Sequence, residues 1–142
     1  MQAPEAPAPK TFTVAEANAL LPTAIPLIKQ LQGLQTSIVQ TNQQLDELVA
    51  KLAAGNGYPL TTIKDRIREL TQHQLQLVEA FQSALQSLEE LGCQLKDLQE
   101  GLVDFYGIQH GELVLLCWKL GEDRIRFWHT LEDGFSGRQP LE

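Results

Sequence analysis

Basic residues are scarce in this chain. Its 142 residues include 11 Lys and Arg against 18 Asp and Glu, which gives a formal net charge of -7 at pH 7. Sequence-independent binding to nucleic-acid phosphates or to an anionic membrane surface requires clustered positive charge. The composition therefore predicts no nucleic-acid partner and leaves proteins and small molecules as candidates.

Long apolar runs are also missing. The longest run covers residues 113–118, whereas a helix that spans a bilayer needs about 20 predominantly apolar residues. The N-terminus lacks the basic and then apolar order of a secretory signal. We therefore expect no membrane insertion and a cytoplasmic location.

Cysteine is nearly absent, because the chain has only Cys93 and Cys117. Two cysteines do not make a disulfide framework, and a reducing cytosol keeps thiols free. We expect two free thiols.

Sequence motifs that carry known chemistry are missing as well. The chain has no CxxC, HExxH or EF-hand spacing, no P-loop, no Rossmann glycine pattern and no nucleophile elbow. The sequence therefore identifies no catalytic residue, and a metal site would depend on the clustering of ligands alone.

The N-terminal part combines a tail with a helix start. Residues 1–10 alternate Pro and Ala without apolar periodicity, which predicts a disordered tail. Thr13 and Glu16 have the spacing of a capping box, which predicts a short helix over residues 12–21. Pro22 lacks a backbone donor, so we expect this helix to end or kink there.

The middle of the chain has helical periodicity. Apolar residues recur at steps of three and four from Ala24 to Leu52 and again from Leu60 to Leu91, the pattern of a heptad seam. Gly55 to Pro59 interrupt it. Residues 23–91 are therefore predicted to form a long antiparallel helical hairpin, coiled-coil-like, whose Gln-rich outer faces and projecting tip suit homodimer formation.

After Gly92 the apolar period becomes strand-like. Candidate strands cover residues 93–98, 102–106, 112–120 and 124–130, and residues 133–138 are predicted to be an ordered loop. The fold class is α+β, mainly α: a helical hairpin with a small C-terminal antiparallel β-sheet packed at its base. One domain is predicted over residues 11–142, with the β-platform and loop at residues 92–142.

Cys117 and His129 are the candidate metal ligands. If Leu120 pairs with Arg124, the two side chains share one face of the sheet, diagonally opposed, whereas a slip of one residue separates them. A thiol and an imidazole on one face suit a divalent metal ion. A cysteine beside Leu115 and Leu116 is more often part of an apolar core than a metal ligand.

Charged and aromatic residues of the last third supply further candidates. The carboxylates that could add oxygen ligands are Asp97, Asp104, Glu122, Glu132 and Asp133, although acidic residues also favour turns. The basic residues that could hold an anion or pair internally are Lys96, Arg124, Arg126 and Arg138. Trp118 and Trp128 suit anchors of the sheet or a partner surface.

The motifs of the chain resemble those of a bacterial domain of unknown function, family twenty-two-oh-three. They are FTVAEAN at residues 12–18, LLP at 20–22, KDL at 96–98, GLVDF at 101–105, LCW at 116–118, WH at 128–129 and GFSGR at 134–138. The resemblance covers nearly the whole chain after the tail. It implies the fold described above and no established activity or cofactor.

Two functions remain open. The first is a non-enzymatic binding or scaffold module that forms a homodimer through its hairpin and binds a ligand or partner protein through the β-platform, at Lys96, Asp97, Asp104, Trp118, Glu122, Trp128 and Arg138. The alternative is a divalent-metal-binding protein or metal-dependent hydrolase that uses His129, Cys117 and nearby carboxylates. The projecting hairpin with its Gln-rich outer faces favours the non-enzymatic function.

Overall fold

The fold is a pair of long helices followed by an antiparallel sheet. The computed structural model describes residues 9–55, 57 and 59–141. Its elements are α1 (Val14–Ala54), α2 (Leu60–Glu90), β1 (Cys93–Asp97), β2 (Leu102–Gln109), β3 (Glu112–Lys119), β4 (Phe127–His129), a 3-10 turn (Phe135–Gly137) and β5 (Gln139–Pro140). This confirms the predicted fold class. The predicted disordered tail lies outside the described residues, apart from Pro9 and Lys10.

The chain divides into two compact units. Met1–Ile28 and Ser87–Glu142 form one, here called the sheet unit, and Lys29–Gln86 form the other, the hairpin unit. Neither helix, in the part of the chain that the structure describes, has the length and apolar character needed to cross a membrane. The single domain predicted over residues 11–142 stays a prediction.

Helix α1 begins where the capping box predicts. The Thr13 backbone N–H donates to Glu16 Oε1 at 2.9 Å, and the Glu16 N–H donates to Thr13 Oγ1 at 3.1 Å. This reciprocal pair satisfies donors that the first helical turn leaves without partners.

The predicted helix end near Pro22 is wrong. Helix α1 continues through Pro22 and Pro26 to Ala54 without interruption. A proline inside a helix costs about 3 kcal/mol through the lost hydrogen bond and the steric clash. Here both prolines are exposed, while Leu21, Ala24 and Ile28, spaced by three and four residues on one face of the helix, are buried. Burial of this apolar face offsets the cost, so the separate helix over residues 12–21 does not exist.

In the hairpin unit, apolar side chains of both helices are buried. They include Leu31, Ile63, Leu70 and Ala84. One polar layer interrupts them, in which Gln74 Nε2 donates to Asn42 Oδ1 and the neighbouring Thr41 hydroxyl donates to the Ser37 carbonyl. Because each of these polar groups has a partner, the layer can fix the alignment of the helices without leaving a buried group unsatisfied.

In the sheet unit, the five strands lie in sequence order and each pairs antiparallel with the next. His110 and Gly111 connect β2 to β3, and both have positive φ, 53° and 79°. Such two-residue turns match the twist of a hairpin and set its register. Gln109 accordingly pairs with Glu112, and further along the hairpin Asp104 pairs with Cys117.

The two faces of the sheet have different neighbours. On one face, Phe105 packs edge-on against Phe12, with ring centroids 5.4 Å apart. Val103 and Trp118 pair with each other on this face and are both buried. The residues between them along the strands, Asp104 and Cys117, point to the opposite face, because successive side chains of a strand alternate.

The last strand prediction is too long at its start. Residues 124–126 lie outside β4, which begins at Phe127. The Ile125 N–H donates to Asn18 Oδ1 of α1 at 2.7 Å, and the Arg126 guanidinium bonds Asp123. These contacts replace the strand pairing. The structure adds β5, which was not predicted from the sequence. Residues 133–138, for which an ordered loop was expected, include the 3-10 turn.

Candidate metal centre

Asp104, Cys117 and His129 meet on one face of the sheet, each from a different strand. One donor atom from each side chain, a carboxylate oxygen, Sγ and a ring nitrogen, lies within 4.8 Å of the others. The side chains belong to β2, β3 and β4, and the register pairs Asp104 with Cys117 and Leu115 with His129. Of the two registers that the sequence left open, this is the one in which Cys117 and His129 share a face.

All three residues are buried: Asp104 is 1%, Cys117 0% and His129 3% exposed. Burial of a carboxylate without compensation is costly, since water is removed from a charged group. A buried group of this composition therefore requires a stabilising partner, either a protein hydrogen-bond donor or a cation.

The hydrogen bonds of His129 define what lies between it and Asp104. Nδ1 is 2.8 Å from the Thr130 carbonyl oxygen, which only accepts, so Nδ1 carries the hydrogen. In the neutral ring Nε2 is then an acceptor, yet it lies 3.0 Å from Asp104 Oδ2, which is also an acceptor when ionised. The contact between these two atoms therefore needs a proton or a metal ion between them.

The other two ligand side chains of the cluster, Asp104 and Cys117, have few hydrogen-bond partners that would compete with a metal ion. Asp104 Oδ1 is buried and has no hydrogen-bond partner. Burial, and secondarily the neighbouring Asp104, raise the pKa of the Cys117 thiol to about 12. Without a bound cation the sulfur is therefore protonated at neutral pH, and a metal ion must displace that proton, since the thiolate is the metal ligand.

Arg138 holds the C-terminal loop beside this cluster. Its Nη2 donates to both carboxylate oxygens of Glu122, at 2.7 and 2.9 Å, and to the Cys117 carbonyl at 3.4 Å. The guanidinium carbon lies 4.1 Å from the Phe127 ring centroid and 4.5 Å from that of Phe135. Cation–π contacts with these two rings and charge pairing with Glu122 hold the loop against β3.

Other predicted site residues do not join the cluster. Trp118 is buried, and its indole N–H donates to the Glu122 carbonyl, which fits the predicted anchor. Asp97 Oδ1 accepts from the Glu100 N–H in a turn. Lys96 is exposed and Trp128 is half-buried. The ligand or partner surface that includes these residues stays a prediction, and its members Asp104 and Trp118 are buried in this structure.

Two contributors to the site were missed from the sequence. The Thr130 carbonyl orients His129, and Phe135 stacks on Arg138. No side-chain pattern signals the role of a backbone carbonyl. The glycines around Phe135 indicated a turn, which hinted that its ring folds back onto the sheet.

The profile of an uncharacterized conserved protein family, DUF2203, matches residues 10–141. This is the family twenty-two-oh-three that the motifs resemble. The chain belongs to DUF2203. The match includes all three cluster residues of this DUF2203 chain as well as Glu122 and Arg138. No curated protein and no solved structure matches the chain, so the proposal for its function depends on the geometry of the site.

Proposed function

We propose that the chain is a divalent-metal-binding protein whose ligands are Asp104, Cys117 and His129. The observation that carries this proposal is the 3.0 Å contact between His129 Nε2 and Asp104 Oδ2, which needs a proton or a cation between the two atoms, with Cys117 Sγ within 4.8 Å of both side chains' ligand atoms. A divalent cation at that point satisfies all three donors and balances the charge of a carboxylate and a thiolate. It also offers a partner to Asp104 Oδ1.

Zinc is the ion that this ligand set suits best. Nitrogen, sulfur and carboxylate ligands bind Zn²⁺ at about 2.0–2.3 Å in tetrahedral geometry, which separates neighbouring ligand atoms by about 3.3–3.6 Å. The 3.0 Å between Nε2 and Oδ2 opens to that distance with a small side-chain movement. The Nδ1–H to Thr130 carbonyl bond matches the outer-shell contact by which proteins orient a metal-binding histidine.

Cobalt titration of the apoprotein tests this proposal. Tetrahedral Co²⁺ with a thiolate ligand gives intense visible absorption and a sulfur-to-metal charge-transfer band, and we expect both at one Co²⁺ per chain. Cys117→Ala should abolish the charge-transfer band, while Cys93→Ala, which removes the other buried thiol of the sheet unit, should leave it unchanged. A featureless titration of the wild-type protein, or equal spectra for the two variants, contradicts the proposal.

Metal-dependent hydrolysis is a finer proposal for the same site. It is supported by a cleft of about 180 Å³ whose lining includes Asp104 and His129, because a metal that activates water needs an open position. Zinc-stimulated hydrolysis of an activated ester, lost in His129→Asn and retained in His73→Asn on the hairpin, would support it. Equal rates with and without zinc would argue for binding alone.

Self-association through the helical hairpin is a separate proposal. Large apolar side chains on the helices are about half exposed, at Val39, Val49, Leu60 and Leu75. Burial of such groups against a second copy would stabilise a dimer. Light scattering at several concentrations tests this, since a constant monomer mass rules it out.

The two free cysteines also support the proposed cytoplasmic location.

A further inference from the structure

The cleft beside the metal ligands has a defined composition. Asp104 and His129 contribute to it from the sheet, and apolar side chains line it from both the sheet and the C-terminal loop: Leu102, Leu115, Leu131 and Phe135. Its volume of about 180 Å³ lies below the roughly 300–1,000 Å³ of clefts that bind drug-sized molecules. The cleft therefore suits a small molecule with an apolar part.

Two of the three proposed ligands lie on the wall of this cleft. A metal ion held by one carboxylate oxygen, one thiolate and one imidazole has three protein ligands, and the fourth tetrahedral position goes to water or to an external molecule. Asp104 and His129 border the cleft although they are only 1% and 3% exposed, so that position lies at the inner end of the cleft. An oxygen donor in the cleft can replace the water.

The charges around the cleft limit the ligand further. Lys96 is the basic residue of the lining, whereas Glu132 and Asp133 are acidic. A divalent metal ion bound by the Asp104 carboxylate and the Cys117 thiolate has a net charge of zero. The site can therefore bind one further negative oxygen ligand, whose charge is partly balanced by Lys96 in the cleft lining. A second negative charge on the ligand would face the two acidic side chains and be repelled.

We infer that the metal of this site binds the carboxylate of a short aliphatic monocarboxylic acid, whose hydrocarbon chain occupies the cleft between Leu102, Leu115 and Leu131. This inference rests on the proposed metal site and adds the chemical class of its ligand. The carboxylate replaces a metal-bound water, and no covalent bond of the acid changes.

The test uses the Co²⁺-loaded protein and three probes. Hexanoate should change the visible cobalt spectrum in a saturable way. Acetate lacks the hydrocarbon chain, and each buried methylene is worth roughly fourfold in affinity, so with two methylenes buried hexanoate should bind about 15-fold more tightly than acetate. Succinate, with a second carboxylate, should bind more weakly than hexanoate.

Two matched variants locate the hydrocarbon chain. Leu131→Ala shortens an apolar side chain of the cleft that is 50% exposed, so the fold should tolerate it. It should reduce the preference for hexanoate over acetate several-fold while Co²⁺ loading stays unchanged. Leu75 of the hairpin unit is 58% exposed and serves as the control. Leu75→Ala should leave the preference for hexanoate over acetate as in the wild type.

The outcomes separate the two proposals. If Co²⁺ binds with a thiolate band but no carboxylate changes its spectrum, or if acetate and hexanoate bind equally, the ligand inference is overturned and the metal site stands. If Co²⁺ does not bind with the expected spectrum, both are overturned. A spectral change that depends on chain length and on Leu131 supports the inference.

Discussion

Replacement of either buried cysteine by alanine provides a matched test of zinc-linked stability. Cys93 and Cys117 are both free and buried in the sheet unit, and each substitution removes one sulfur atom from a packed environment. Without zinc, we expect both variants to lose about 1 kcal/mol, mainly through lost packing. Their difference should appear only when zinc is present, because Cys117 alone is a proposed ligand.

The magnitude follows from linkage. Zinc at 100 times its dissociation constant stabilises a protein that binds it only when folded by about 2.7 kcal/mol, which raises the Tm of a chain of this size by about 8 °C. Loss of the Cys117 ligand should weaken binding by at least the roughly 100-fold seen when outer-shell partners are removed. The same zinc concentration then stabilises Cys117→Ala by only about 0.4 kcal/mol, or about 1 °C.

Tryptophan fluorescence suits this assay, because the chain has two tryptophans and both Trp118 and Trp128 belong to the sheet unit. The signal therefore reports the unit that contains the proposed site. Cys93→Ala should keep the full zinc-dependent rise in Tm. The reasoning is refuted if Cys117→Ala keeps the full rise, or if Cys93→Ala loses it.

Three further predictions concern stability. Pro22→Ala should raise the free energy of unfolding by about 2 kcal/mol in urea titrations. A proline inside a helix costs about 3 kcal/mol, and part of that cost is offset because proline lowers the conformational entropy of the unfolded chain. An unchanged free energy of unfolding would show that α1 has relaxed around the proline. Arg138→Ala should destabilise the chain by about 2–3 kcal/mol, because the partly buried Glu122 carboxylate loses its cationic partner and keeps the Lys119 N–H as a donor. Glu122→Gln should recover part of this loss in the double variant, and an equal loss in both backgrounds contradicts the pairing. Burial raises the thiol pKa values of Cys93 to about 11 and of Cys117 to about 12, so the folded chain keeps protons that the unfolded chain loses above pH 9, and stability should fall by on the order of 5 kcal/mol by pH 11. Cys93→Ala should remove roughly 2 kcal/mol of that loss; an unchanged pH profile argues against the shift.

The fold was largely predictable because apolar periodicity is a local signal. Steps of three and four predict helices, and the change to alternation after Gly92 predicts strands. The helix end at Pro22 failed because local propensity was weighed without the burial of Leu21 and Ala24, which is a tertiary effect. Strand β5 has only two residues and includes Pro140, so no alternation existed to reveal it.

The candidate site was predictable only in part. The sequence left the β3–β4 register open between two alternatives, and only the structure selects the one that puts Cys117 and His129 on one face. Asp104 was one of five candidate carboxylates, and its selection depends on the β2–β3 register. That register follows from the turn at His110 and Gly111, whose positive φ values were not evident from a predicted strand that stopped at residue 106.

The metal content of the purified protein tests the central claim most directly. The chain should be prepared without a metal-chelating tag and measured by elemental analysis, beside Cys117→Ala and Cys93→Ala. We predict about one zinc per chain in the wild type and in Cys93→Ala, and a large loss in Cys117→Ala. Wild-type protein that contains no stoichiometric transition metal, and that takes up none when zinc is supplied, would contradict the account.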